Sequence, residues 1–361
     1  CGGVAAGLGG GRSVSRLSAG SLARTFEEHV GPVFESETGI RLRGEYHGSN
    51  ALLRMIEDRT KAPDVVVSAD ATLLRDRLYG VETDWDVEFA TNSLGIGYDT
   101  RTPVGRRLDA GDPWYEVAPD ADAGAVAIAD PDLDPLGYRA VQAFELAGRV
   151  HGRPGLRGTL LDLAYREPKE PQLLTGVTTG SRAAAVVYRN MAVDHGIGFT
   201  EFPSAYNFAE PDRAAQYATA TYTTDDGYTA VSRPIVYNVT VRDGADAPVA
   251  GRRLVEFLVD NPDRLTAAGL SVAGPLPRAV GAAPEAIDPL PPSAARVAAD
   301  ESGDRPDGGT VAPARTGRSR ASGGAARCGR GRAVRRVPCP DGARGGRSRS
   351  GRPDAAVRLS R

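Results

Sequence analysis

The chain has 361 residues, 41% hydrophobic and 25% charged. That balance suits a folded protein with room for two lobes, and it excludes a chain too polar to bury a core. The net charge of −2 is uneven: residues 311–361 hold 14 Arg against Asp341 and Asp354, so residues 1–310 carry 30 basic and 44 acidic groups. Such an acidic body is a poor partner for nucleic acid, and no run approaches the roughly 18 apolar residues of a membrane-spanning helix. Among its cations only Lys61 and Lys169 are lysines. Scarce lysine with abundant carboxylate fits a halophilic source, or a GC-rich genome that favours Arg codons.

Cys1 opens the chain ahead of a Gly- and Ala-rich run to Arg12. The pattern reads either as a lipoprotein, with its lipid on Cys1 and residues 1–12 as a tether, or as a fragment boundary. The next cysteines are Cys328 and Cys339, so no disulfide framework or cysteine metal site is expected in the body. Residues 13–17 predict a strand and 22–30 a helix opened by Ser21. The pattern repeats with a strand at 41–46, a Gly48-Ser49 turn and a helix at 50–59, then with a buried strand at 64–68 and a helix through Tyr79. Alternation of this kind predicts an α/β lobe with a largely parallel sheet. Residues 85–98 are extended and lead into a second α/β region, with strands at 125–129 and 184–188 and a helix at 138–149. The Thr-, Tyr- and Val-rich stretch 219–241 is expected to return the chain to the first lobe, which helices at 254–259 and 262–268 close. The result is a hinged clamshell: residues 13–88 plus 235–290 form one lobe, residues 89–234 the other, and the ligand lies between them. Residues 291–361 are dominated by Pro, Gly, Ala, Ser and Arg and read as a disordered tail, either functional or translated from a shifted frame.

A helix N-terminus offers free N–H groups and the positive end of a dipole, so it can hold an anion without Lys or Arg. Ser21 in Ser18-Ala-Gly-Ser-Leu22 and Ser49 in His47-Gly-Ser-Asn50 stand at two such starts. Each could add a hydroxyl donor, and each could equally be an ordinary N-cap.

Over residues 14–280 the sequence resembles the archaeal molybdate/tungstate-binding proteins of ABC transporters, in the type II periplasmic-binding-protein superfamily. The matching stretches are Ser18-Ala-Gly-Ser-Leu22, Gly48-Ser49, Ala62-Pro-Asp-Val-Val-Val-Ser-Ala-Asp70, Asp134-Pro-Leu-Gly-Tyr-Arg139, Val187-Tyr188 and Pro234-Ile-Val-Tyr237. The resemblance implies a two-lobed clamshell, each lobe a mainly parallel sheet flanked by helices. It also implies a molybdate or tungstate ligand and a partner ABC permease with a cytoplasmic ATPase. Contact with the membrane would be through a lipid anchor only. The protein would be a monomer without cofactor or enzymatic activity, outside the cytoplasm. As ligand-binding residues it implies Ser21, Ser49, Tyr188, Asp134 and, within the same motif, Gly137 and Tyr138.

The chain departs from the archaeal pattern at Val187, where members with six-oxygen coordination carry Glu. Val-Tyr resembles the bacterial molybdate binders, so the expectation is tetrahedral binding through Ser21, Ser49, Tyr188 and backbone N–H groups. Asp134 then either touches the ligand or caps the helix that starts near Leu136. Sulfate or phosphate is the rival anion. A serine hydrolase would need a base for Ser49, and the sequence offers no Gly-x-Ser-x-Gly elbow in the body. The histidines lack metal-ligand spacing. Asn238-Val-Thr240 is an N-glycosylation sequon that falls in an expected strand.

Overall fold

The computed structural model describes residues 13–285 and 287. Residues 1–12, the expected lipid tether, and the Arg-rich stretch 291–361 lie outside these residues. Two sheets organise the chain. The first is built from β1 (Ser13–Ala19), β2 (Arg41–His47), β3 (Val65–Ser68) and β4 (Trp85–Thr91), with the helices α1 (Gly31–Thr38), α2 (Ser49–Glu57) and α3 (Ala71–Leu78) between them. The chain then crosses at Asn92-Ser93 into β5 (Leu94–Tyr98), followed by α4 (Pro103–Asp109), α5 (Trp114–Val117), β6 (Val126–Ala129), α6 (Pro135–Val150), α7 (Leu156–Leu163), β7 (Tyr165–Glu167) and α8 (Glu170–Thr178). The second lobe continues through β8 (Ala184–Tyr188), α9 (Arg189–His195), β9 (Gly198–Glu201), α10 (Ala214–Tyr217) and a separate hairpin of β10 (Thr221–Thr223) and β11 (Thr229–Val231). Return is by β12 (Val236–Val241), followed by α11 (Pro248–Asp260), α12 (Pro262–Ala267) and β13 (Arg278–Gly281).

The first sheet runs β13-β4-β12-β3-β1-β2 and the second β7-β6-β8-β5-β9. Each is mixed, which refines the expected mainly parallel arrangement. β1 is parallel to both β2 and β3, and β6 is parallel to both β7 and β8. The strands that carry the chain between lobes, β4, β5 and β12, pair antiparallel with their neighbours. They enter each sheet against the direction of the strand–helix repeats. The fully buried Ala-Ala-Val-Val-Tyr run of β8 has the continuous apolar pattern of a central strand.

α6 starts where Asp134 caps it: the carboxyl Oδ1 accepts the Leu136 amide at 2.7 Å, and Pro135 occupies a position where no amide is missed. The sequence reading missed α1, α4, α5, α7, β7, α8, α9, β9, α10 and β13. These are short, so no long periodic pattern marks them. The sequon is closed, because Asn238 is fully buried in β12 and its amide donates to Asp86 at 2.6 Å. Among the described residues no helix is long and apolar enough to cross a membrane.

Candidate functional site

The two Gly-Ser turns lie side by side. β1 and β2 are parallel neighbours in register from Ser13↔Arg41 to Ala19↔His47, so both end together and both turn at once, into Gly20-Ser21 and Gly48-Ser49. This is the carboxyl edge of the parallel strands, where open α/β sheets bind ligands. Neither serine is a helix cap. The capping positions are Ala19, ahead of a single 3-10 turn at Gly20–Leu22, and Gly48, ahead of α2, and no side chain caps either start. The Ser49 hydroxyl instead accepts the Ala69 amide at 2.9 Å, and the Ser21 hydroxyl accepts from Tyr237 at 3.1 Å. Each serine oxygen is thereby fixed as an acceptor while its own proton remains to be donated.

The second lobe closes on these turns with residues 130–139. The Leu133 carbonyl accepts the Ala51 amide at 3.0 Å, and the Asn50 side chain donates to the Asp132 carbonyl at 2.7 Å. Gly48 is required for this approach, because a Cβ there would lie 2.3 Å from Leu133 O and 2.8 Å from Asp134 Oδ2. At Gly20 a Cβ would lie 2.6 Å from Glu170 Oε2. Asp134 therefore does cap α6, yet its second oxygen, Oδ2, faces Gly48 with no hydrogen-bond partner. Gly137 has a packing reason of its own: a Cβ would come within 2.5 Å of the Ala129 carbonyl.

Tyr138 and Tyr188 divide. The Tyr138 hydroxyl donates to Asp70 Oδ2 at 2.7 Å, so this motif tyrosine is engaged in joining the lobes. Beside it the fully enclosed Arg139 donates to the Ala69 carbonyl at 2.9 Å, to Asp70 Oδ2 at 3.0 Å and to the Tyr188 hydroxyl at 2.7 Å. Burial works against the Arg139 charge, but Tyr188, Asp70 and Tyr138 outweigh it and hold the guanidinium protonated. Burial drives the Tyr188 hydroxyl well above the usual phenol range, with Arg139 opposing. The phenol thus stays protonated and, accepting from Arg139, keeps its O–H to donate.

A neutral network fixes Ser21 from the hinge side. Asn190 donates to the Ser21 carbonyl at 2.7 Å, while the Asn92 side chain donates to Asn190 at 2.8 Å and to the Tyr237 hydroxyl at 3.2 Å. The rings of Tyr188 and Tyr237 meet edge to face at 6.2 Å, which brings Tyr188 of the second lobe against the tyrosine that holds Ser21. A cavity of about 240 Å³ opens beside this seam, bounded by Ser21, Arg24 and Tyr46 on one side and Pro171, Leu174 and Met191 on the other. The sequence reading missed Arg139, Asp70, Glu170, Asn190 and Tyr237 as members of the site. Asp70, Arg139 and Tyr237 did lie within matched motifs.

The hydrolase constellation does not form. His47 faces Glu45 at 3.3 Å and Ser49 is held by Ala69, so the two make no nucleophile–base pair. Among the described residues no three His, Cys, Asp or Glu side chains gather as a metal site.

Residues 15–269 match the family model described as bacterial extracellular solute-binding protein. An uncharacterized solute-binding protein of Halobacterium salinarum is 53% identical over 276 residues, 76% of this chain and 89% of the relative. The molybdate/tungstate-binding protein WtpA of Thermococcus kodakarensis is 30% identical over 271 residues, 66% of this chain and 75% of the relative. In fold the chain is similar to the Azotobacter vinelandii periplasmic molybdate-binding protein, with a TM-score of 0.52 at 15% identity over 72% of this chain and all of that one.

Proposed function

The chain belongs to the bacterial extracellular solute-binding protein family, and from that premise we propose that it captures a tetrahedral oxyanion, molybdate or tungstate, for import by an ABC transporter. The observation that carries the reading is the pair of Gly-Ser turns ending two adjacent parallel strands, set against Tyr188 on the other lobe. Ser21, Ser49 and Tyr188 each keep a hydroxyl proton, and the turns add backbone N–H groups. Together they form a donor set for an anion that brings no cation with it. The names of relatives such as the Thermococcus WtpA support molybdate or tungstate as the cargo.

In this reading the protein acts as a monomeric receptor rather than an enzyme, outside the cytoplasm. It hands the anion to a permease served by a cytoplasmic ATPase. Residues 13–91 with 235–285, which carry the first sheet, and residues 94–234, which carry the second, act as the two lobes, hinged where the chain crosses between the sheets. β4 runs to Thr91, so the first crossing is at Asn92-Ser93 rather than at the expected 88/89 boundary. Only a ligand that touches both lobes can favour the closed form, and the serines and Tyr188 meet that condition.

Tyr188→Phe is expected to weaken molybdate binding by about 1.5–3 kcal/mol, the worth of a hydrogen bond to a charged group. Calorimetric titration of the variant checks this, and unchanged affinity would remove Tyr188, and with it the two-lobe contact, from the site.

A further inference from the structure

Two acids press on the proposed anion site, and among the described residues no cationic side chain forms an ion pair with either. Glu170, at the start of α8, is 2% exposed and Asp134 is 3% exposed. Both Glu170 oxygens and Asp134 Oδ2 are buried without a hydrogen-bond donor in good geometry. They abut the two glycines that begin the Gly-Ser turns, and Glu170 faces the Ser21 hydroxyl and amide.

The groups around Glu170 come from several elements. Asp134 at the start of α6 and the Ser21 hydroxyl and amide face it directly. Tyr237 of β12 and Tyr188 of β8 sense its charge. Arg139 favours ionised Asp134 and Asp130 disfavours it. Arg139, however, is already engaged with Asp70, Ala69 and Tyr188. Two facing carboxyls in a dry seam cannot both ionise, and a dianion brought beside them makes a second negative charge harder still.

We propose that Asp134 and Glu170 hold one proton between them and that Glu170, as a neutral acid, donates it in a hydrogen bond to the captured oxyanion. Glu170 is then a specificity-determining donor of a site whose ligand class rests on the function proposed above. No bond to the oxyanion forms or breaks. The proton stays on the Glu170 carboxyl and turns from Asp134 to the ligand, while Asp134 remains the ionised cap of α6. Burial, then the Asp134 charge, raises Glu170 well above the ordinary carboxyl range, and Asp134 is itself raised by burial.

The sign follows. Below the pKa of the shared proton the ligand-free pair already carries it and affinity does not vary with pH. Above that pKa binding must restore the proton, so affinity falls about tenfold per pH unit with one proton taken up.

Two measurements on the full chain test this. Infrared spectra of the ligand-free protein at neutral pH should show the carbonyl stretch of a protonated carboxyl that Glu170→Gln removes. Molybdate titrations across alkaline pH, in buffers of different ionisation enthalpy, should show uptake of one proton by the native chain and a flat pH profile for Glu170→Gln. Molybdate binding with no such band, or with no proton uptake at any alkaline pH, overturns the proposal and leaves the receptor reading intact. X-ray absorption showing carboxylate oxygens bonded to the molybdenum also overturns it, because a coordinating carboxylate holds no proton. The band without binding of any oxyanion overturns the receptor reading, and the proton's role as donor with it.

Discussion

Replacing Gly48 by alanine is expected to weaken molybdate binding by about two orders of magnitude while leaving the chain folded. The added methyl would lie 2.3 Å from the Leu133 carbonyl, a backbone atom, and 2.8 Å from Asp134 Oδ2. A flexible side chain could swing away, but a carbonyl at the start of α6 cannot move without shifting the loop that carries it. Overpacking of this kind costs roughly 1–3 kcal/mol. Closure then also forfeits the Ala51–Leu133 and Asn50–Asp132 hydrogen bonds between the lobes, each worth about 1 kcal/mol. The strain is relieved when the lobes part, so the open form tolerates the methyl and the closed form does not. Small-angle scattering with saturating molybdate checks this directly: the native chain should contract and Gly48→Ala should contract less. Contraction and affinity equal to native would show that the lobes do not close on Gly48.

Arg139→Met is expected to cost about 3 kcal/mol of binding free energy, a comparable loss by a different route. The methionine keeps much of the apolar stem but removes the hydrogen bonds to Asp70 and the Ala69 carbonyl, which tie α6 to the first lobe. Charge-assisted bonds are worth about 1.5–3 kcal/mol each, and Asp70 Oδ2 would keep Tyr138 as its partner in the closed form. Tyr188 would also lose the guanidinium that donates to it. Calorimetry of the variant, together with a melting curve to establish that it folds, separates loss of closure from loss of fold. Native affinity in a folded variant would mean that Arg139 packs the seam without stabilising it.

Much of the site's backbone was legible in the sequence because it is local. Strand β8 has the predicted bounds, since a five-residue apolar run ending in Tyr188 has few other homes. Ser21 and Ser49 were found because a strand, a Gly-Ser turn and a helix follow one another in ten or so residues. Their adjacency was not local: it rests on the β1–β2 register. Glu170 was invisible because Glu167-Pro-Lys-Glu-Pro171 reads as a charged surface loop, and its burial arises only where α8 packs against Gly20. Arg139 likewise looks like one of many surface arginines until Asp70, from the other lobe, meets it. The alternative of Ser21 and Ser49 as side-chain caps failed for a related reason, since Tyr237 and Ala69 occupy those oxygens from distant parts of the chain. The mixed character of the sheets follows from the direction in which crossing strands enter, which a strand–helix repeat does not encode.

The most direct test of the account is a calorimetric titration of the chain with molybdate, tungstate, sulfate and phosphate, using one preparation in one high-salt buffer. The account predicts tight binding of molybdate and tungstate, hard to separate from each other because the anions are nearly equal in size, with sulfate and phosphate bound far more weakly. Preferential binding of sulfate or phosphate, or binding of none of the four by a folded chain, would contradict it.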